Sequence, residues 1–573
     1  MTTFLPCSAR RGTRCSAGIV VCTVLTLLLF ASGPLAFGNP LDFVLWQDFP
    51  GLRGSDGQWA DFDNDGDLDV VTAGRTSEGD RITKTYENRN GTLVFRQDLI
   101  GVESVDSTNL DWGDYDGDGD LDLALAGQTT GDVTLARIYT NDGSGNLSWD
   151  TAQELTAVGD ASVAWGDYDN DGDLDLVIIG LPVIGEPNPI SVLYRNHPPG
   201  SLSIEPSVSL RGLRRGSADW GDYDSDGDLD LLLTGYDGSH RWTILYENGP
   251  AGTLTDVGNL GLPMVSNSHT AWGDYDNDGD LDLGIVGGIS GYGGESIARV
   301  YRNDGAFVLA AHLMDVYGGS CAWGDYDNDG DLDVAFCGYT SVYIYTRIFR
   351  NTGAGFSLAY SMEPVTDGSL TWADADRDGD LDFFLMGTYY GWHERRQLYR
   401  NDGGLPNTAP AAPTDLICDS AGGGLHLSWS GASDAETPTA GLYYCLRVGT
   451  SPGAHDVMSG TYGTPLMGNV HQATDWVLNV PSGTYYWSVR TIDSGFMASP
   501  WSEEMVCEYD YCEGDITGDG MTDQTDLGIL LALWGNCEDD PNYDPRADLD
   551  GDGCIGHGDL GVLLADWGCG SGL

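Results

Sequence analysis

Asp61, Asp63, Asp65, Asp67 and Asp69 stand on alternate positions of one nine-residue stretch, with Gly66 at its sixth position. Carboxylates at positions 1, 3, 5 and 9 of such a loop can converge on one hard cation. Glycine at position 6 permits the sharp turn, and residue 7 can add its backbone carbonyl. Six to eight oxygen ligands suit calcium. The pattern recurs six times: Asp114, Asp116, Asp118, Asp120 and Asp122; Asp167, Asp169, Asp171, Asp173 and Asp175; Asp222, Asp224, Asp226, Asp228 and Asp230; Asp274, Asp276, Asp278, Asp280 and Asp282; Asp325, Asp327, Asp329, Asp331 and Asp333; Asp374, Asp376, Asp378, Asp380 and Asp382. Five carboxylates within nine residues repel one another in a folded turn unless a cation sits among them.

An EF-hand would also need a bidentate acid at position 12. Here that position holds Thr72, Leu125, Ile178, Leu233, Ile285, Phe336 and Leu385, so each loop runs into a strand. The elements around the loops repeat with them. A Trp precedes each loop, at 59, 112, 165, 220, 272, 323 and 372, and an apolar run ending in Gly follows it. Next comes an aromatic residue two places before Asn, as in Tyr86-Glu87-Asn88 and Tyr301-Arg302-Asn303, and then a further alternating segment. Four short strands in a period near 50 residues predict a propeller blade. The seventh repeat lacks its last strand. The segment Phe43-Val44-Leu45-Trp46-Gln47-Asp48 resembles the last strand of repeat one, so it is expected to complete the seventh blade and close the ring.

Residues 41–405 resemble the FG-GAP/VCBS repeat family, the calcium-binding propeller type also found in integrin α-subunits. The VCBS-like branch fits better, because the Phe-Gly and Gly-Ala-Pro signatures are absent. The resemblance implies a seven-bladed β-propeller whose calcium sites, about seven, are structural and lie on one rim.

A Pro-rich linker over 406–412 leads to a second module, 413–507. Its strand-like runs are Leu425–Trp429, Tyr443–Val448 and Tyr485–Thr491, which predict a β-sandwich. Trp429 and the Tyr-x-x-Arg-Val run resemble a fibronectin type III domain, with Ser499-Pro500-Trp501-Ser502 as its last strand. Residues 513–569 change period. Leu527, Leu530, Leu531 and Trp534 fall on one helix face, and Leu560, Leu563, Leu564 and Trp567 repeat the spacing. A loop precedes each helix. The first offers Asp515, Thr517, Asp519, Asp523 and Asp526, and the second Asp548, Asp550, Asp552 and Asp559. The duplicated EF-hand-like loop and helix resemble a type I dockerin. That implies up to two more calcium ions and a cohesin-type partner. The expected fold class is therefore mainly β: a seven-bladed propeller, a sandwich, then a small α-helical calcium-binding domain.

The layout of 1–36 is that of a secretory signal peptide: Arg10, Arg11 and Arg14 precede the apolar run Ala17–Ala31. No second span follows, so the expected location is secreted, extracellular or surface-associated. The nine cysteines beyond the leader are then disulfide candidates, with Cys512–Cys537 the expected pair and at least one thiol left over.

The chain carries 88 acidic and 26 basic residues, a formal charge of −62. That excludes nucleic acid as a general partner, because affinity there comes from Lys and Arg on phosphates. No nucleophile elbow, P-loop or dinucleotide fingerprint is present, and no two histidines have metal-ligand spacing. No catalytic residue and no organic cofactor are assigned. Arg211, Arg214 and Arg215 form a small basic cluster. Tyr236, Tyr292 and Tyr389-Tyr390-Gly391-Trp392 are aromatic tips that could stack on sugars or pack. The expected function is non-enzymatic recognition of a glycan or an extracellular protein. The alternatives are an enzyme or component of polysaccharide breakdown, and a structural matrix protein.

Overall fold

The computed structural model describes residues 43–569 except 102–109, 184–187, 250–251, 291–293, 390–392, 420–423, 461–466, 510–511, 513, 518–520, 538–539, 541 and 550–552. The expected leader, the loop residues Asp519, Asp550 and Asp552, and the tips Tyr292, Tyr390 and Trp392 lie outside the described residues.

Alternation and Gly-rich turns build the first repeat from β1 (Phe43–Ala60), β2 (Asp69–Arg75), β3 (Arg81–Arg89) and β4 (Thr92–Leu99), paired antiparallel in that order. β2 is covered on both faces, and Val70, Val71 and Ala73 are fully buried, which is why it reads as an unbroken apolar run. Repeats two to six each form a separate four-stranded antiparallel sheet. The seventh supplies three strands, Leu370–Ala373, Asp382–Tyr389 and His393–Asn401. Its fourth neighbour is the first half of β1, with Phe43 opposite Asn401 and Leu45 opposite Tyr399. The second half of β1 pairs with β2, so one strand is outermost in the last repeat and innermost in the first. This is the join expected from the missing strand.

Neighbouring repeats are keyed together at their innermost strands. Each repeat's Trp is buried, and the residue after it is Gly in repeats two to six. A Cβ on Gly166 would stand 2.7 Å from the ring of Trp220, and one on Gly273 would stand 2.9 Å from Trp323. The glycine therefore makes the space into which the next repeat's indole fits.

The asparagine two places after the aromatic residue makes the second key. Its side-chain amide donates to the carbonyl of loop position 2 in the preceding repeat: Asn141 to Phe62, Asn196 to Tyr115, Asn248 to Tyr168, Asn303 to Tyr223, Asn351 to Tyr275 and Asn401 to Tyr326, at 2.6–2.8 Å. Asn88 donates to Ala375 at 2.8 Å, which carries the series from the first repeat back to the seventh.

Residues 414–509 form two three-stranded sheets, 414–419/425–430/475–478 and 443–449/483–492/505–509, tied by Cys418–Cys507. Their inner residues Trp429, Trp476 and Trp487 share one core with Trp220 and Leu231 of the repeats. The last strand is Met505–Tyr509, a correction to the expected Ser499–Ser502 segment. That segment lies outside the named strands, and Trp501 is held there by two arginines instead.

Two helices follow, α1 (Gln524–Leu533) and α2 (His557–Ala565). They meet through Leu530 and Leu563, both fully buried. Leu531, Leu564 and Trp567 were expected on the same buried faces but are 55%, 54% and 46% exposed, because the two helices cover only one leucine row on each other. The expected Cys512–Cys537 disulfide is corrected to Cys512–Cys569 and Cys537–Cys554. The reason is that the end of the chain returns to the first loop, where Gly568 N–H donates to Thr522 O and Thr522 N–H donates to Cys569 O. Cys321, Cys337 and Cys445 are buried thiols outside the three disulfides. Among the described residues no helix is long and apolar enough to cross a membrane.

Deleting residues 43–48 strips the last repeat of its outer strand. The variant is expected to melt at a lower temperature and to self-associate through the bared edge, read by calorimetry and size-exclusion chromatography.

Candidate metal centres

Each acidic loop links an innermost strand to the next one, and its turn is closed by its own backbone. Gly66 N–H donates to Asp61 at 2.9 Å, and the same bond from position 6 to position 1 recurs in all seven loops at 2.8–3.1 Å. The turn needs a left-handed residue at position 4, where Asn64, Asn170, Ser225, Asn277, Asn328 and Arg377 have φ of 54–61°. Asn tolerates this region better than most side chains. Position 6 has φ of 89–97°, which accounts for its invariant glycine among the seven loops.

This turn brings positions 1, 3 and 9 together. The carboxylate oxygens of Asp61, Asp63 and Asp69 lie within 4.8 Å of one another, as do those of Asp114, Asp116 and Asp122, and of Asp167, Asp169 and Asp175. Position 9 is the deepest. Asp69, Asp122, Asp175, Asp230, Asp282 and Asp333 are fully buried, and one oxygen of each accepts the N–H of the key asparagine at 2.6–2.8 Å. Burial, reinforced by the neighbouring aspartates, pushes Asp69 and Asp382 up to about 8 and Asp122, Asp230 and Asp282 up to about 9. Asp175 and Asp333 are driven up in the same direction for the same causes.

The donor set fits a hard cation. Asp61 Oδ1, Asp63 Oδ1 and Asp69 Oδ2 are buried without a hydrogen-bond partner, and so is the position-3 Oδ1 of Asp116, Asp169, Asp327 and Asp376. Buried carboxylate oxygens that lack donors require a cation or a proton. Calcium held here would supply charge neutralisation and fix the turn, with positions 1, 3 and 9 as the converging ligands.

Positions 5 and 7 are placed differently. Position 5 accepts the N–H of position 7, as in Asp67 N–H to Asp65 at 2.9 Å. The side chains at position 7 reach the neighbouring loop. Asp120 accepts from Asn64, Asp228 from Asn170, Asp331 from Asn277 and Asp380 from Asn328, at 2.6–3.0 Å, while Asp67 pairs with Arg377 at 2.5 Å. These carboxylates latch loop to loop around the rim. His197, which sequence spacing did not flag, lies 3.3 Å from Asp171 and 3.6 Å from Asp173.

The two-sheet module sits on this rim. Gln472 Nε2 donates to Asp274 at 2.7 Å, and Ser494 Oγ donates to Asp325 at 2.8 Å. Ser459 hydrogen-bonds Asp114, and Asn479 donates to the carbonyl of Asp169 at 2.7 Å. His471 Nδ1 accepts the N–H of Asp222 at 3.3 Å. Position-1 or position-3 residues of loops two to six are thus held from above. The module also completes the wall of an axial cavity of about 210 Å³, where Met467, His471 and Phe496 join six of the repeat tryptophans. Asp111 and Asp219, which line it, are partly buried, and loss of solvation there pushes them up to about 7 and about 6.

In the C-terminal loops Asp526 accepts from the N–H of Thr517 and of Asp523, at 2.9 and 2.8 Å, and Asp523 caps α1. Thr517 Oγ1 donates to Asp515 at 2.9 Å. Asp548 accepts from Gly553 N–H and Tyr543 OH through one oxygen, and its other oxygen is buried without a partner. Asp559 is buried at the start of α2. The Arg211, Arg214 and Arg215 cluster is consumed internally. Arg214 and Arg215 lie 3.5 and 2.9 Å from Asp160, and Arg211 stacks on Trp242. Tyr236 is partly buried and donates to Gly238 O.

Four stretches, 61–125, 114–178, 222–285 and 325–385, match the FG-GAP-like repeat. These repeats are FG-GAP-like and build a repeat β-propeller. No curated protein matches the chain. Among solved structures, a Bacillus licheniformis rhamnogalacturonan lyase aligns with TM-score 0.36 and 14% identity over 63% of this chain and 75% of that one. A Penicillium chrysogenum α-L-arabinanase aligns with TM-score 0.36 and 10% identity over 63% and 95%. The Aleuria aurantia lectin, a six-bladed β-propeller, aligns with TM-score 0.33 and 10% identity over 56% and 97%.

Excess EGTA is expected to lower the melting temperature and to raise the radius of gyration in X-ray scattering, as the rim loops repel and the two-sheet module loosens. An unchanged melt rejects the cation reading. Acid acts through a second route. His471 is buried and His269 partly so, and loss of solvation drives both down to about 4, against about 6.5 in an unfolded chain. Their contribution to stability is whole above pH 6.5 and is lost as the pH falls towards 4. In saturating calcium the melting temperature should hold from pH 8 to 6.5 and drop below that. A His269→Gln/His471→Gln variant should lose less over the same acid range.

Proposed function

We propose that the chain is a secreted, calcium-binding recognition protein. Its seven repeats close as a seven-bladed propeller. Residues 413–507 form a fibronectin type III-like sandwich, and 513–569 form a dockerin-like calcium module that attaches the protein to an extracellular assembly. The observation that carries this reading is the set of buried carboxylate oxygens without donors, at positions 1, 3 and 9 of loop one and at position 3 of loops two, three, six and seven. Extracellular calcium modules work with dissociation constants of about 10⁻⁴–10⁻³ M, a range that suits sites whose role is to hold a fold.

Secretion is supported by the three disulfides, which persist in oxidising compartments. Attachment through the tail is supported by the exposed Leu531, Leu564 and Trp567. Leu531 and Leu564 are carried on two helices that pack against each other, Trp567 follows the second, and the three suit a cohesin-type partner. The ligand of the propeller itself is a glycan or an extracellular protein.

Glycan and protein arrays probed with the calcium-loaded chain test the reading. Binding that is lost in EGTA is the expected result, and capture by an extracellular assembly should depend on residues 513–569. Product release from a polysaccharide would replace recognition by degradation. An array blank in calcium would reject the reading.

A further inference from the structure

The two-sheet module hydrogen-bonds loops two to six. Above loops one and seven it stands off and leaves a cleft of about 600 Å³. That volume lies within the roughly 300–1,000 Å³ of small-ligand sites, which favour domain junctions. Asp61, Asn64 and Gly66 of loop one and Asp374 and Arg377 of loop seven line one wall. Arg447, His455, Arg490, Phe496, Met497 and Trp501 belong to the other.

The second wall is built. Trp501 lies 4.7 Å from the guanidinium carbons of both Arg447 and Arg490. Gly460 lets the indole rest against the backbone, since a Cβ there would stand 2.2 Å from the ring. Stacking on one indole fixes two planar cations without using their in-plane donors. Arg490 spends one donor on the Gly460 carbonyl at 3.3 Å, and its Nε is buried with no acceptor. Among the described residues neither arginine has a carboxylate partner, in a chain with 88 acids and 26 bases. Held guanidiniums with open edges are suited to bidentate capture of a carboxylate. The facing Asp61 and Asp374 belong to cation loops, so calcium neutralises the one feature of the cleft that would repel an anion.

We propose that this cleft binds an acidic oligosaccharide, with a uronate carboxylate on Arg447 and Arg490 and the sugar ring over Phe496 and Met497. The proposal rests on the calcium-dependent glycan reading given above and places its ligand. A peptide is a poorer fit. The wall strand Gly483–Ile492 is already paired on both sides, so it offers no free edge for strand addition.

Isothermal titration of the full calcium-loaded chain tests it with three probes: a galacturonate tetrasaccharide, its methyl ester, and an acidic peptide of equal charge. The free acid is expected to bind, and the ester and the peptide to bind at least about tenfold more weakly. Arg447→Gln and Arg490→Gln should each cost a similar factor with an unchanged melt. Should either variant fail to fold, Ala498→Trp keeps both arginines and fills the cleft, and it should abolish binding. Equal affinity for acid and ester, preference for the peptide, or full binding by these variants overturns the proposal. If a saccharide still binds those variants, glycan recognition stands and only the cleft is rejected. If the tetrasaccharide does not bind the intact chain, the cleft assignment fails, and the recognition reading is decided separately by the glycan and protein arrays.

Discussion

The structure hangs on a buried aspartate at the ninth position of each loop. One of its oxygens accepts the backbone of the key asparagine, and that asparagine's amide reaches back to the preceding repeat. A single residue type therefore joins the loop, the third strand and the neighbouring sheet. Burial makes its negative charge costly, as the upward drift to about 8 or 9 records. The architecture can keep seven such groups only if something positive or protonated accompanies each one. Cation binding and sheet-to-sheet cohesion are in this sense one problem with one solution.

The same economy governs the rim. Carboxylates at position 7 that turn away from the clusters accept from the next loop, so the acidic residues divide between gathering charge and latching loops. The two-sheet module then uses serine and glutamine to hold the outer oxygens of position 1, while arginines of the repeats themselves pair with position 3, as Arg195 does with Asp169 at 2.7 Å. Over loops one and seven that division of labour lapses. Arginines approach the rim there without pairing to it, and the space left between is the cleft.

Much of this was legible in the residues. The period of the Trp, the acidic loop and the apolar run fixed the repeat sheets, and the missing strand of repeat seven pointed to Phe43–Asp48. The asparagine was visible as a marker, but its role was not, because its partner is a backbone carbonyl one repeat away and carries no side-chain signature. At position 7 the residues pointed to a backbone carbonyl, and the latch made by the side chain was hidden: only the left-handed residue at position 4 of the neighbouring loop reveals that partner. The Cys512 pairing depended on how two loop-helix units fold onto each other, which a count of cysteines does not encode. Leu531 and Leu564 followed the helical period yet stayed in solvent, because the period defines a face and leaves open how wide a neighbour covers it.

The strand that serves both the first and the last repeat also sets an order of events. Phe43 is among the first described residues to be synthesised, and its partner Asn401 belongs to the last repeat. The ring cannot close until nearly the whole array exists, so closure is a slow, long-range step of high contact order. The loops that must settle beforehand are mutually repulsive in the absence of cations. On the proposed calcium reading, a chain built this way would stay open until its loops are supplied with cations. Timing, as much as stability, is written into where the first strand sits.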